Sequence, residues 1–244
     1  MKKKLVVLCM AVSLMLTACG SKVEVQEPTM EAESEPVVET DAEETVSQAE
    51  EVTMEVETET QAPEEESASD FVKGKVTNTG WESEWLGMRY VMADGMVMST
   101  EEELNAMMGI SQEMLSEEFS ELQLKYAELN TVYEMMCTAA DQASNVNVTL
   151  EKLPIKIDID TYVDLIKTQL SELATMSMNV INEGEDVTVA GKEFKKLQCE
   201  VTYEGMSFYQ DYYLTIVGDR AVSIVVSYAD ESGADNLMSG FQAY

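Results

Sequence analysis

Residues 187–228 read VTVAGKEFKKLQCEVTYEGMSFYQDYYLTIVGDRAVSIVVSY, and the punctuation of this stretch decides the fold. Three short turn signals, Ala190-Gly191-Lys192, Glu204-Gly205 and Gly218-Asp219, separate runs at Glu185 to Ala190, Phe194 to Tyr203, Met206 to Val217 and Arg220 to Tyr228. Alternating runs joined by turns this short must reverse direction, which predicts consecutive antiparallel hairpins forming a C-terminal meander. In the third run Phe208, Tyr212, Leu214 and Ile216 share one face, and Tyr209, Asp211, Tyr213 and Thr215 share the other. The first face is expected to pack helices and the second to look mostly outward.

N-terminal to the meander the period changes. Val163, Ile166, Leu170 and Leu173 recur at helical spacing, with Thr161 and Asp164 as a capping box and an end near Met178. Two strands precede this helix, Val132 to Ala140 and Asn145 to Glu151. The second alternates Val146, Val148 and Leu150 with Asn145, Asn147 and Thr149, the pattern of a half-buried strand. Earlier still, strands at Lys73 to Thr77 and Trp85 to Met92 are joined through Asn78-Thr79-Gly80, and Asp94-Gly95 marks a second turn.

Ser99 and Thr100 stand ahead of Glu102 and Glu103 as a capping box for a short helix carrying Leu104, Met107 and Met108 and stopping at Gly109. Ser111 caps a further helix with Met114, Leu115, Phe119 and Leu122 on one stripe. A terminal helix from Asp230 presents Ala234, Leu237, Met238 and Phe241. Residues 71–244 therefore read as one α+β domain, a single antiparallel β-sheet with a C-terminal meander flanked by helices.

The preceding segment has a different character. Residues 20–70 hold 18 acids against the single Lys22, no aromatic residue and no sustained periodicity. Too little apolar surface is available there to offset the entropy of ordering, so residues 19–70 are expected to be a disordered acidic linker that extends by self-repulsion. At the very start Lys2, Lys3 and Lys4 precede an apolar run from Leu5 to Leu16, broken only by Ser13. Twelve helical residues rise only about 18 Å, short of the ~30 Å hydrocarbon core, so the run reads as the h-region of a signal peptide.

Leu16-Thr17-Ala18-Cys19-Gly20-Ser21 follows in register and resembles the lipobox of bacterial lipoprotein precursors. That resemblance implies removal of residues 1–18 and acylation of the Cys19 thiol, a palmitate-type lipidation. The domain would then be held on the extracytoplasmic side of the cell membrane.

Composition bounds the chemistry. Loss of Lys2, Lys3 and Lys4 with the signal leaves 12 of the 15 basic residues against 47 acidic ones, a net charge near −35. Such a field repels nucleic acid and anionic headgroups alike, so a nucleic-acid partner is excluded and membrane attachment must rest on the lipid. Calcium or cationic peptides are the partners that this charge favours. Histidine is absent, which removes triad hydrolases and histidine-based metal sites. No cofactor motif is present.

Several residue sets remain as candidates. Cys137 and Cys199, both in predicted strands, can pair as a disulfide if those strands are neighbours, or remain as buried free thiols. Met88, Met92, Met96 and Met98 form a spaced thioether series of the kind that holds copper(I). Against this, thirteen methionines are scattered over residues 71–244, as expected of core filler. Asp158, Asp160 and Asp164, or Asp230, Glu231 and Asp235, can gather oxygens for calcium, although each set sits where acids cap a helix. Trp81 and Trp85 share a face if they lie on one strand, and Tyr209 and Tyr213 flank Asp211. Either aromatic pair is a candidate ligand-binding patch, with burial in the core favoured for the tryptophans.

The order of elements is similar to the fold of photosystem subunit P and the Ran-binding import factor (PsbP-like). The local likeness lies in Trp85-Leu86-Gly87-Met88-Arg89-Tyr90 before Asp94-Gly95, and in Ala190-Gly191-Lys192-Glu193-Phe194. The resemblance implies a non-catalytic binding or assembly module and transfers no functional residue. Its partner is expected to be an unidentified protein or small molecule. The alternative is a carrier of metal ions, calcium or copper, or of a small ligand.

Overall fold

The computed structural model describes residues 71–106, 129–139, 144–173, 177–203, 205–229 and 233–244. The signal peptide, Cys19, the acidic linker, Asp230, Glu231 and the helix expected after Ser111 lie outside the described residues.

Eleven strands and two labelled helices are described. They are β1 (Lys75–Thr77), β2 (Gly80–Ser83), β3 (Met88–Val91), β4 (Met96–Met98), β5 (Thr131–Ala139), β6 (Asn145–Lys152), α1 (Ile159–Glu172), β7 (Ser177–Val189), β8 (Lys192–Tyr203), β9 (Met206–Val217), β10 (Arg220–Tyr228), α2 (Gly233–Met238) and β11 (Phe241–Ala243). Residues 101–106 are helical as well. The meander is antiparallel as expected, β7 on β8, β8 on β9 and β9 on β10. It belongs to a seven-stranded sheet ordered β4-β5-β6-β10-β9-β8-β7.

The single sheet expected from the sequence is in fact two. A second sheet, ordered β1-β2-β3-β11, is built from strands of three or four residues. Runs that short show no period, and this hid three features. The Asn78-Thr79 turn leads into β2 rather than straight to Trp85. The Asp94-Gly95 turn hands the chain from the small sheet to β4 at the edge of the large one. Phe241 belongs to β11, which pairs with β3, and is not part of the terminal helix. Gly80 opens β2 at φ 156°, where a Cβ would meet the Tyr90 carbonyl oxygen of β3. The close approach of these two strands therefore demands glycine.

Two apolar clusters lie on opposite faces of the large sheet. One packs α1, through Tyr162, Val163, Ile166 and Leu170, against Leu197, Phe208, Tyr212 and Leu214. The other packs Trp81, Leu86, Met88, Tyr90 and Phe241 of the small-sheet region against Val148, Leu150, Val222, Ile224 and Val226. The meander face carrying Tyr209, Asp211 and Tyr213 is thus covered by the second cluster and does not look outward. The N-cap of helix α1 lies three residues earlier than expected. Asp158 Oδ1 accepts the Thr161 amide at 2.7 Å, so Asp158 is the N-cap and Thr161 the donor. The other capping box stands as read: Thr100 N donates to Glu103 Oε2 at 2.8 Å and Glu103 N to Thr100 Oγ1 at 3.3 Å.

Candidate functional site

Strand β6 carries Asn145, Asn147, Thr149 and Glu151 on its helix-side face, the face opposite Val146, Val148 and Leu150. The alternation expected of a half-buried strand is present, but the polar face is as dry as the apolar one. Asn145 and Asn147 are fully enclosed, Thr149 is 1% exposed and Glu151 2%. Register explains the enclosure. Strand β6 lies between β5 and β10, so Thr131, Tyr133 and Thr138 stand opposite Glu151, Thr149 and Asn145 on one side. Ser223 and Ser227 stand opposite Thr149 and Asn145 on the other. One strand further on, Gln210 stands opposite Ser227.

The result is a polar column on the sheet face that also packs α1. Part of it is satisfied internally. Gln210 Nε2 donates to Ser227 Oγ at 2.9 Å, and the Tyr212 hydroxyl donates to Gln210 Oε1 at 2.6 Å. The Tyr162 hydroxyl of α1 donates to Glu151 Oε2 at 3.3 Å. Five atoms are unmatched. Thr131 Oγ1, the Tyr133 hydroxyl, both side-chain polar atoms of Asn145 and Thr149 Oγ1 are buried without a hydrogen-bond partner among the described residues. A buried polar atom left unpaired costs about 1–3 kcal/mol, so the column carries a free-energy penalty. Burial also pushes the Glu151 carboxyl from 4.5 up to about 9, against the opposing pull of the Tyr162 hydroxyl, so this acid is uncharged at neutral pH.

A second polar knot lies on the opposite face of the same sheet, within the meander. Asp211, fully enclosed, forms an ion pair with Lys196 Nζ at 2.9 Å and accepts from the Tyr228 hydroxyl at 2.8 Å and the Tyr213 hydroxyl at 3.4 Å. Gln198 Nε2 donates to the Tyr228 hydroxyl at 2.7 Å, the Tyr209 and Tyr228 rings stack at 5.7 Å, and Lys196 lies 5.6 Å from the Tyr213 ring centre. Burial, then the Asp211 charge, raises the Tyr213 hydroxyl above its usual value. Tyr209, Asp211 and Tyr213 do come together here, half-buried for Tyr209 and buried for the other two, and they are spent on one another. Lys196, Gln198 and Tyr228 complete the knot. No spacing in the sequence marked them, because β8 and β10 bring them in from either side.

Trp81 and Trp85 do not share a strand. Trp81 is buried on β2, while Trp85 lies half-buried in the turn before β3 and meets Phe71 edge-on at 5.3 Å. Trp81 Nε1 donates at 3.1 Å, and the Gly74 amide at 2.7 Å, to Oε2 of Glu134. Glu134 is the extra residue where the β5–β6 register shifts between Tyr133 and Met135, and this bulge turns its carboxyl toward the small sheet. Burial raises the Glu134 carboxyl, against the two donors and the nearby charges of Lys73 and Arg220. The Arg220 guanidinium lies 4.0 Å from the Phe71 ring centre.

Met88 is buried and Met92, Met96 and Met98 are partly buried, all four packed in the cluster between the sheets. Their position is that of core filler. Cys137 and Cys199 are both free and buried. They sit on β5 and β8, with three strands between, in different clusters, which rules out the disulfide in this fold. Burial raises the two thiols to about 11 and about 12.

Asp158, Asp160 and Asp164 have separate partners. Asp158 caps α1, Asp160 binds Lys195 Nζ at 3.2 Å and Asp164 binds Lys167 Nζ at 3.5 Å. Lys195 also meets Asp186 at 2.8 Å on the rim of a cleft of about 330 Å³ lined by Ile157, Ile159, Leu214 and Ile216. Among the described residues no group of three or more acids and cysteines is placed to hold a metal ion, and no helix among them is long and apolar enough to cross a membrane.

No family model and no curated protein matches the chain. Solved structures similar to it include cyanobacterial PsbP (CyanoP) from Synechocystis sp. PCC 6803, with a TM-score of 0.43 at 11% identity, over 68% of this chain and 91% of that one. LpqN of Mycobacterium tuberculosis, a protein involved in cell envelope biogenesis, gives 0.39 at 8% identity over 64% and 82%. A protein of Bacteroides thetaiotaomicron gives 0.32 at 11% over 64% and 45%. At these values neither a family nor a residue role is taken from any of them.

Proposed function

We propose that this protein is a lipid-anchored extracytoplasmic binding module. Cys19 carries the lipid, residues 19–70 are the spacer, and the domain binds a ligand on its helix–sheet side without transforming it. The observation that carries the reading is the polar column of β5, β6 and β10. It leaves donors and acceptors unpaired in an interior closed to water, so a ligand that completes them must displace the side chains that cover them. Glu151, kept neutral, offers hydrogen bonding there rather than charge. The side chains that meet on this face are amides, hydroxyls and one neutral carboxyl, groups suited to holding a molecule in place.

One preparation tests both halves. Full-length protein expressed in a bacterial host is expected in the membrane fraction with an acylated N-terminal peptide starting at Cys19. Cys19→Ser should be unacylated and released from the membrane. Native mass spectrometry of the wild-type preparation is expected to retain a small-molecule mass that disappears on denaturation and is missing from Asn145→Leu/Thr149→Val. An unacylated wild type would remove the anchor from the account, and a ligand-free native mass would remove the binding role.

A further inference from the structure

The helix–sheet side also has a place that is open. Helix α1 covers Leu197, Phe208 and Tyr212 of the large sheet. Where residues 157–159 lead into α1, the same face of β8 and β9 is left uncovered, and a cleft of about 330 Å³ lies over Leu214 and Ile216. Ile157 and Ile159 wall it from the helix side, and these two and Ile216 are half-buried, so apolar surface there remains in contact with water. Ligand pockets begin at roughly this volume, about 300 Å³, which takes a few side chains and not a domain.

Charge decides what enters. Asp158, Asp186 and Glu193 line the cleft with Lys195 as its one base. The Lys195 ammonium is already held twice, by Asp186 at 2.8 Å and by Asp160 at 3.2 Å. Asp158 accepts the Thr161 amide, so the positive end of α1 is capped as well. An anion would therefore meet carboxylates and no uncommitted positive group. A cation would meet Glu193, which is exposed and has no ion pair among the described residues, and the weak pairs at Lys195, whose acids are 77% and 84% exposed. The chain itself is a poor occupant. Residues 20–70 hold 18 acids against Lys22, and a second copy brings 47 acids against at most 15 bases, so an acidic rim repels both.

We infer that this cleft docks a short basic and apolar segment of a partner protein, with an apolar side chain seated between Ile157, Ile159 and Ile216 and a lysine or arginine beside it on Asp158, Asp186 and Glu193. The site shares no residue with the polar column and does not depend on it.

Full-length protein is titrated by calorimetry at physiological ionic strength, where long-range attraction to the acidic linker is screened. The probes are three end-blocked tetrapeptides, Leu-Lys-Leu-Lys, Ser-Lys-Ser-Lys and Leu-Glu-Leu-Glu, and isoamylamine as a small apolar cation. Leu-Lys-Leu-Lys is expected to bind saturably and about tenfold more tightly than any other probe. Ile157→Asn should weaken it by about tenfold, and Asp158→Asn/Asp186→Asn, which keeps a capping side chain at position 158, by about threefold. Lys195→Gln removes the competing ammonium and should strengthen binding by about threefold. Folding of each variant is confirmed by circular dichroism.

Preference for Leu-Glu-Leu-Glu, or weaker Leu-Lys-Leu-Lys binding to Lys195→Gln, would overturn the cationic assignment. Equal binding of Ser-Lys-Ser-Lys would reduce the contact to charge alone, and isoamylamine binding as tightly as the peptide would make this a small-cation site; either overturns the docked segment. Affinity unchanged in both Ile157→Asn and the double aspartate variant would overturn the location, and silence from all four probes would overturn the inference. Asn145→Leu/Thr149→Val should bind the peptide as wild type does, so failure at the cleft leaves the column to be judged by the native mass spectrum.

Discussion

Glu151→Gln is expected to flatten the pH dependence of this protein's stability. In the fold the Glu151 carboxyl holds its proton up to about 9, whereas in the unfolded chain it loses it near 4.5. Between those values the folded state binds one proton more than the unfolded state. The contribution is therefore complete below about pH 4.5 and is lost progressively as pH rises toward about 9, with a limiting slope of about 1.4 kcal/mol per pH unit. Glutamine has the shape of the protonated acid and no such linkage.

Over the two units from pH 6 to pH 8 the unfolding free energy of Glu151→Gln should thus rise relative to wild type by about 3 kcal/mol. For a domain of this size that corresponds to a Tm difference that grows by about 6–12 °C. Exposed acids with lowered values, Glu103 held by Thr100 and Asp158 held by Thr161, act in the opposite sense and only in more acidic solution. Parallel pH profiles for the two proteins from pH 6 to pH 8 would mean that Glu151 is not enclosed as described.

The second large effect is expected at the bulge. Glu134→Ala removes the acceptor shared by the Gly74 amide and Trp81 Nε1, and Trp81 is almost fully enclosed, so at least one donor is left dry and unpaired. The cost is about 3 kcal/mol, of which each orphaned donor supplies ~1–3 kcal/mol. Glu134→Gln keeps an acceptor in place and should lose less than half as much. Trp81 reports the change directly, so its fluorescence should shift in Glu134→Ala before global unfolding and stay near the wild-type position in Glu134→Gln. Equal stabilities for the alanine and glutamine variants would show that the carboxyl does not join the two sheets. Gly74 adds a steric argument, because a Cβ there would stand 2.6 Å from Glu134 Oε2 and 2.8 Å from the Glu82 carbonyl oxygen.

The parts of this fold that could be read from the residues are those with long periods and glycine punctuation. The meander from Val187 to Tyr228 has both, and helix α1 has the first. Strands of three residues such as β1, β4 and β11 offer no period to read, and the small sheet was lost with them. The location of α1's cap slipped by three because Asp158 and Thr161 repeat the spacing of Thr161 and Asp164, and only the Thr161 amide shows which pair closes the turn. In β6 the alternation was correct but its meaning was not. Period two separates two faces without saying which is wet, and a polar face is ordinarily expected to be the wet one.

One signal could have flagged the difference. The polar face of β6 carries amides and a hydroxyl with a single carboxyl at its end, whereas an exposed strand in so acidic a chain would be expected to carry charge throughout. Glu134 had no signal, since a bulge is a property of the pairing of β5 with β6 and not of either strand alone. The spacing of Tyr209, Asp211 and Tyr213 marks them as a group, but their partners Lys196, Gln198 and Tyr228 come from β8 and β10 on either side of β9.

The account turns on whether the polar column exists for a ligand or for the fold. If the fold needed it, replacing its unpaired members by apolar side chains of similar shape would destabilise the protein. If it is kept for a ligand, the same replacement relieves buried, unpaired groups. The deciding measurement is the unfolding free energy of ligand-free Asn145→Leu/Thr149→Val against wild type. The column's role as a binding site predicts a gain of about 2 kcal/mol, a rise in Tm of about 4–8 °C. A loss of stability would contradict it, because Asn145 and Thr149 would then be supporting the fold that encloses them.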